Sequence, residues 1–251
     1  MAAATDAAGF PQGTGVPPGI KITHVLFDMD GLLLDTEGAY TIAQEKVLAP
    51  LGKAFTWELK AGMMGRGALE AAEWLLGRLG VGPEQMTPQQ FLDQRGALLE
   101  AEFTVVPLLP GAERLVRHLA AAGVPMAVAT GSGRGQFDHK TQQHRELFGL
   151  FSHVVTGDMV AKAKPDPAIF LQALATFPQA PPPDPACVLV FEDAPNGVEA
   201  ALAGGLRVVM VPTSGMPPHL WSGTGANQFL PSLEDFKPEE WGLPPFPAGG
   251  K

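Results

Sequence analysis

Short apolar runs alternate with longer amphipathic segments along most of the chain, and several of the runs end in polar residues. The run His24-Val-Leu-Phe predicts a buried strand that ends at Asp28. Further strands are predicted at 124–129, 152–155, 187–191 and 207–211, and helices at 110–122, 136–148, 166–175 and 198–203. Strands that alternate with helices are typical of a parallel sheet with helices on both faces. The pattern therefore predicts an α/β fold.

A long stretch after the first strand departs from this alternation. From Thr36 to Phe103 the apolar positions follow the helical period, and Gly and Pro residues separate the helical segments. We expect residues 36–103 to form an inserted α-helical cap domain. The catalytic core would then consist of residues 21–35 and 104–251, preceded by a disordered leader over residues 1–20 that is rich in Ala, Gly and Pro.

Composition and charge narrow the possible partners. The chain has 251 residues, and its 26 acidic against 17 basic side chains give a formal charge of −9. This charge disfavours nucleic acids and anionic membranes, and no apolar run is long enough to cross a bilayer. The single cysteine, Cys187, rules out an internal disulfide. We expect a cytoplasmic protein, since the leader lacks the charged start of a signal peptide. We also expect a monomer or a weak homo-oligomer.

Candidate catalytic residues come directly after the first predicted strand. Asp28 and Asp30 are two positions apart and precede Gly31. Carboxylates can bind Mg²⁺, Asp28 can attack phosphorus, and Asp30 can protonate a leaving alcohol and later activate water. An isolated Asp-x-Asp is more typical of a surface turn, but a preceding buried strand favours the functional interpretation.

Two further positions can hold a phosphate group. Thr130 and Gly131 follow the second predicted strand, where a hydroxyl and a backbone N–H can bind phosphate oxygens, although a structural turn is the alternative. Lys164, which precedes a Pro-Asp-Pro sequence, can neutralise phosphate charge. The alternatives are that Lys164 is a solvated lysine before a helix, or that the nearby Lys162 has this role instead.

Glu192 and Asp193 end the strand predicted at 187–191. Two adjacent carboxylates after an apolar strand are costly to bury without a cation. Capping of the following helix by Asp193 is the alternative. Together with the carboxylates at 28 and 30, the pair favours a metal site.

These motifs, in this order, resemble those of the haloacid dehalogenase superfamily. The resemblance rests on Phe-Asp-Met-Asp-Gly-Leu-Leu-Leu-Asp-Thr-Glu at 27–37, Thr130, Lys164-Pro-Asp-Pro and Val-Phe-Glu-Asp-Ala-Pro-Asn-Gly at 190–197. It implies a Rossmann-like core with a helical cap inserted after the first motif. It also implies that Asp28 and Asp193 bind Mg²⁺ directly, Asp30 through its backbone carbonyl and Glu192 through water. Ala163 departs from the family's usual glycine.

Within the superfamily, the segments at 63–72, 137–145 and 236–244 resemble plant-type glycerol-phosphate phosphatases and pseudouridine-5′-phosphatases. The resemblance implies a Mg²⁺-dependent phosphatase acting through an aspartyl phosphate on a small phosphorylated metabolite, with glycerol phosphate ahead of pseudouridine 5′-phosphate. A sugar phosphomutase of the same fold and a catalytically silent binding module are the alternatives. Arg66, between two glycines in the predicted cap, is a candidate for contacting the substrate.

Overall fold

A single parallel sheet forms the centre of the molecule. The structure is a computed structural model and describes residues 20–63, 66–102, 105–178, 182 and 184–247. Its strands lie in the order β3-β2-β1-β4-β5-β6, so the first strand is central. They are β1 (His24–Phe27), β2 (Met126–Thr130), β3 (His153–Thr156), β4 (Val188–Glu192), β5 (Arg207–Met210) and β6 (Gln228–Phe229). The α/β class predicted from the sequence is confirmed.

Helices flank the sheet and fill the long stretch between β1 and β2. The stretch contains α1 (Glu37–Leu48), α2 (Trp57–Met63), α3 (Ala68–Leu79) and α4 (Pro88–Glu102), which we call the helical insert. The remaining helices are α5 (Ala112–Ala121), α6 (Arg134–Lys140), α7 (Arg145–Phe148), α8 (Ala168–Ala175), α9 (Pro195–Ala203) and α10 (Pro218–Trp221). The predicted disordered leader lies, except for residue 20, outside the described residues.

The central strand is buried on both faces. Val25 and Phe27 pack into the apolar layer on one side of the sheet, whereas Leu26 packs into the layer on the other side. Phe27 also stacks on Phe191 of the neighbouring β4, with ring centroids 5.0 Å apart. Each fully buried side chain of this kind stabilises the fold by about 1.5–3 kcal/mol. The strand is therefore a rigid support for the residues that follow it.

The helical insert has an apolar core of its own, in which Leu48, Leu75 and Phe91 are buried. Its helices pack on one another through this core, with α4 lying against both α1 and α3. No helix in the described part of the chain is both long and apolar enough to span a bilayer.

Two of the predicted elements were wrong in detail. The helix expected at 136–148 is divided into α6 and α7, because the chain turns between them and the His144 N–H donates to the Thr141 carbonyl, three residues back, at 2.8 Å. The tail after residue 213, for which only short helical pieces were expected, also contributes β6, which pairs with β5. A two-residue strand is too short to show an alternating pattern.

Candidate active site

The polar residues that follow β1, β2 and β4 meet at one edge of the sheet. Because the strands are parallel and in register, Phe27 lies opposite Val128 on one side and Phe191 on the other. The backbone N–H of Asp28 donates to the Phe191 carbonyl at 3.0 Å. The pairing of β1 with β4 therefore continues to the residue that carries the carboxylate. The carboxyl ends of parallel strands are where such sheets bind ligands.

Lys164 lies between two carboxylates at this edge. Its Nζ atom is 2.5 Å from Asp28 Oδ1 and 2.6 Å from Glu192 Oε1, and it donates to the Ala129 carbonyl at 3.2 Å. The neighbouring Lys162 is 73% exposed and forms an ion pair with Asp166 instead. Of the two lysines, only Lys164 reaches the nucleophile candidate.

Burial and charge raise the pKa of Asp28 to about 7. The largest cause is desolvation, and the Glu192 and Asp30 carboxylates add to it, while the Lys164 ammonium opposes it. The pKa of Lys164 is also raised, because its two carboxylate neighbours outweigh the effect of its own burial. The single positive charge of Lys164 therefore does not fully neutralise the two buried carboxylates of Asp28 and Glu192.

The two acidic residues after β4 have different environments. Both oxygens of Glu192 are engaged, one with Lys164 and the other with the backbone N–H groups of Asp193 at 3.0 Å and Ala194 at 3.2 Å. The Asp193 carboxylate accepts a hydrogen bond from the Thr213 hydroxyl at 2.7 Å. Burial, together with Glu192 and Asp28, raises the pKa of Asp193 well above its ordinary value.

The loop after β1 allows Asp193 to come close to it. Gly31 has a φ of +80°, and a Cβ atom built on it would lie 2.2 Å from Asp193 Oδ2. Glycine is therefore required at this position for two reasons, its left-handed backbone and the approach of the carboxylate.

The donor set fits Mg²⁺ better than a metal that needs many protein ligands. The described residues contain no group of three or more His, Cys, Asp or Glu side chains placed to hold a metal ion. Asp28 and Asp193 nevertheless form a pair of buried carboxylates without a full complement of positive charge. Magnesium is typically held by one or two carboxylates together with water and phosphate oxygens. The water-mediated role of Glu192 stays a prediction.

Asp30 lies in a separate network of hydrogen bonds. Its Oδ1 accepts from Lys140 Nζ at 2.6 Å and from the Thr36 hydroxyl at 2.8 Å, and its Oδ2 accepts from the Ser132 hydroxyl at 2.8 Å. Burial alone would raise the pKa of Asp30, but the Lys140 ammonium and these hydrogen bonds outweigh it and hold the pKa below its ordinary value. Thr130 contributes a longer contact of 3.4 Å.

The sequence did not single out Lys140 or Ser132 as site residues. Lys140 is the last residue of α6 and is buried, with its ammonium 2.9 Å from the Ser132 hydroxyl and 3.0 Å from the Tyr40 hydroxyl. A lysine at the end of an amphipathic helix is usually exposed to solvent. The available signals were the position of Ser132, two residues after the candidate Thr130, and the presence of Lys140 in the 137–145 segment that carries the resemblance.

A cavity of about 480 Å³ opens over these residues, between the sheet edge and the helical insert. Asp28, Asp30, Gly131 and Lys164 lie on its wall from the core side. Arg66 lines it from the insert, with its guanidinium 2.5 Å from Glu70 and 2.7 Å from the Gly62 carbonyl. The predicted site residues other than Thr130 therefore lie around one cavity, where Arg66 has partners of its own. Thr130 is fully buried and does not line the cavity, and its hydroxyl accepts from the Ser132 N–H at 3.1 Å. The size of the cavity suits a small metabolite.

A parallel sheet with these carboxylates and lysine at one edge, closed by a helical insert, defines a hydrolase of the haloacid dehalogenase-like type. The chain belongs to that family, since the model of the haloacid dehalogenase-like hydrolases matches residues 22–205.

Individual proteins of known sequence or structure are also similar to this chain. The chain is 51% identical to the mitochondrial (DL)-glycerol-3-phosphatase 1 of Arabidopsis thaliana over 90% of this chain and 75% of that protein. It is 46% identical to the probable pseudouridine-5′-phosphatase of Drosophila melanogaster over 90% of this chain and 96% of that protein. Among solved structures, that of CbbY from Rhodobacter sphaeroides in complex with phosphate matches with a TM-score of 0.69 and 26% identity, covering 85% and 96% of the two chains.

These similarities confirm the family resemblance and the enzyme class predicted from the sequence. The relatives are named as phosphatases of small phosphorylated metabolites. The cytoplasmic location stays a prediction, because one of these relatives is named as mitochondrial.

Proposed function

We propose that this protein is a Mg²⁺-dependent phosphatase that hydrolyses a small phosphate monoester through an aspartyl phosphate on Asp28, and that its substrate is glycerol phosphate, as glycerol 3-phosphate or glycerol 1-phosphate. One observation carries the proposal. The Asp28 carboxylate lies at the end of the central strand, faces the cavity, and shares the Lys164 ammonium with Glu192.

In the first step an Asp28 oxygen attacks phosphorus, and the bond between phosphorus and the ester oxygen breaks. The leaving alkoxide takes a proton from Asp30. In the second step water attacks the phosphorus of the aspartyl phosphate and gives a proton to Asp30, and the bond to Asp28 breaks to release inorganic phosphate. Lys164 offsets the charge of the phosphate as the anionic Asp28 approaches it.

The network around Asp30 favours its ionised form, which is the form needed to accept a proton from water in the second step. To act as the acid in the first step, Asp30 must be protonated and its contact with Lys140 must loosen when substrate occupies the cavity. Thr130 and the backbone of Gly131, at the end of β2, would bind phosphate oxygens.

Asp28 and Asp193 would hold the metal ion through their carboxylates, and Asp30 through its backbone carbonyl. Bound Mg²⁺ would neutralise the phosphate and the carboxylates around it. The raised pKa values of Asp28 and Asp193 support this assignment, because both report buried negative charge that a cation would stabilise.

The choice of glycerol phosphate rests on the relative of 51% identity named as a glycerol-3-phosphatase. Pseudouridine 5′-phosphate is the second candidate, on the strength of the 46% identical relative from Drosophila melanogaster. The cavity of about 480 Å³ accommodates either ester.

The experiment is to measure phosphate release from glycerol 3-phosphate, glycerol 1-phosphate and pseudouridine 5′-phosphate, with Mg²⁺ and with excess EDTA. We expect release from a glycerol phosphate that EDTA abolishes and that Asp28→Asn eliminates in a folded variant. Near wild-type turnover by Asp28→Asn would exclude the covalent step. A higher kcat/KM for pseudouridine 5′-phosphate than for the glycerol phosphates would contradict the proposed substrate but not the proposed mechanism.

A further inference from the structure

The wall of the cavity formed by the helical insert contains two buried polar groups without a hydrogen-bond partner among the described residues. Gln44 on α1 is only 5% exposed and lines the cavity, yet its Oε1 atom has no hydrogen-bond partner among the described residues. The Nε atom of Arg95 on α4, which lines the same cavity, is also buried without a partner there. A buried polar atom left unpaired typically costs about 1–3 kcal/mol.

Arg95 differs from the other cations that the insert places around the cavity. Lys60 is paired with Glu37 at 2.8 Å, and Arg66 is paired with Glu70. Arg95 forms no ion pair with any carboxylate in the described part of the chain, and desolvation by burial lowers its pKa. Its guanidinium instead lies over the Tyr40 ring, 5.7 Å from the centroid.

Both residues lie beside Tyr40, which is linked to the proposed acid. Tyr40 and Gln44 are one turn apart on α1, on the same face of the helix. Arg95 stacks on the first of these, and the Tyr40 hydroxyl accepts from the same Lys140 ammonium that contacts Asp30. The side of the cavity next to Asp30 is where the leaving alcohol must be, because Asp30 protonates it.

We propose that Gln44 and Arg95 form a subsite for free hydroxyl groups on the leaving alcohol, so that the enzyme selects phosphate esters of polyols over those of simple alkyl alcohols. A hydroxyl in the cavity can accept from the guanidinium of Arg95 and exchange a hydrogen bond with the amide of Gln44, because both residues line the cavity. A propyl group of the same size can satisfy neither and leaves both desolvated, and unpaired polar groups in a site discriminate strongly against such analogues.

This inference rests on the proposed phosphatase function. It is tested by comparing glycerol 3-phosphate with n-propyl phosphate, which has the same chain length and no hydroxyl groups. The variants are Gln44→Met, which keeps the side-chain length, and Arg95→Met, which keeps an unbranched apolar side chain. Both remove the polar atoms. Gln89→Met and Arg78→Met are the matched controls, because Gln89 and Arg78 are exposed residues of the insert that do not line the cavity.

We expect the ratio of kcat/KM for glycerol 3-phosphate to that for n-propyl phosphate to fall at least about fivefold in Gln44→Met and about tenfold in Arg95→Met, the scale of losing a neutral and a charged hydrogen bond. The value for n-propyl phosphate itself should stay within about twofold of wild type. Both control variants should keep the wild-type ratio. Circular dichroism establishes that each variant is folded.

An unchanged ratio in the two variants would overturn the subsite, and so would equal losses on both esters, which indicate a role in holding the insert together. If the wild type cleaves neither ester, the phosphatase proposal fails. In that case the dissociation constants of the two esters for the wild-type protein test the subsite independently of catalysis. Equal constants would overturn the subsite. If Gln44→Met does not fold, Gln44→Glu serves in its place. It retains an acceptor and should keep the preference for glycerol 3-phosphate.

Discussion

Replacing Asp28 with Asn should stabilise the metal-free protein at alkaline pH even though it removes the proposed nucleophile. The reason is the charge at the end of the central strand. The Asp28 carboxylate is buried and shares the single ammonium of Lys164 with Glu192. Asn is neutral at every pH and can still accept the hydrogen bond from Lys164.

The magnitude follows from the pKa of Asp28, which rises from 3.8 to about 7. A carboxyl group whose pKa is higher in the folded state contributes stability that is fully present below the unfolded value and is lost as pH rises through the folded value. The loss therefore extends from about pH 4 to about pH 7. Its upper limit is about 4 kcal/mol, since one pKa unit corresponds to about 1.4 kcal/mol, and relaxation of the site should reduce it to about 2 kcal/mol.

The assay is thermal unfolding in excess EDTA at pH 5 and at pH 8. We expect Asp28→Asn to unfold at a temperature about 4–8 °C above that of wild type at pH 8, and within about 2 °C of it at pH 5, for a domain of this size. Asp235→Asn, which removes an exposed carboxylate, is the control and should show no such pH dependence. Added Mg²⁺ should raise the unfolding temperature of the wild type more than that of Asp28→Asn.

Two results would refute this reasoning. The first is a variant that is no more stable than wild type at pH 8, which would mean that Lys164 compensates Asp28 fully. The second is a stabilisation of equal size at both pH values, which would mean that the effect of Asn is not electrostatic.

Three further predictions concern the surroundings of the site. Lys140→Met should move the acidic limb of the kcat profile to higher pH, because the Lys140 ammonium holds the pKa of Asp30 low and the second step needs ionised Asp30. Steady-state kinetics over a range of pH values measure the shift, and an unchanged profile would contradict this role of Lys140. Arg66→Ala should lower kcat/KM about tenfold for the natural substrate and less for a small artificial ester, with steady-state kinetics on both as the measurement. Gly31→Ala should lower the unfolding temperature by several degrees, because its Cβ would collide with Asp193, whereas Gly38→Ala, which meets no atom within 4 Å, should not.

The positions of the site carboxylates could be predicted because they lie at the ends of apolar strands of a parallel sheet. Asp28 and Glu192 are the residues next to or at the end of such strands, and the sheet topology brings them to one edge. The sequence singled out Lys164, but the partners that separate it from Lys162 depend on the fold, since both lysines precede the same helix.

Other features could not be predicted, because they depend on contacts between distant segments. Lys140 reaches Asp30 across 110 residues of sequence, and nothing in its local pattern distinguishes it from a surface lysine. The two backbone N–H groups that bind Glu192 are likewise a property of the turn after β4.

The central position of β1 has a consequence for biosynthesis. The strand that carries the nucleophile is among the earliest described parts of the chain to be made, but one of its two partners, β4, begins only at Val188. At ribosomal rates of about 5–20 residues per second, the edge of β1 facing β4 stays open for about 10–30 s. Until then the nascent chain presents an unpaired apolar edge and lacks Glu192 and Asp193 altogether. We expect truncated chains that end before β4 to be aggregation-prone and inactive rather than partly active.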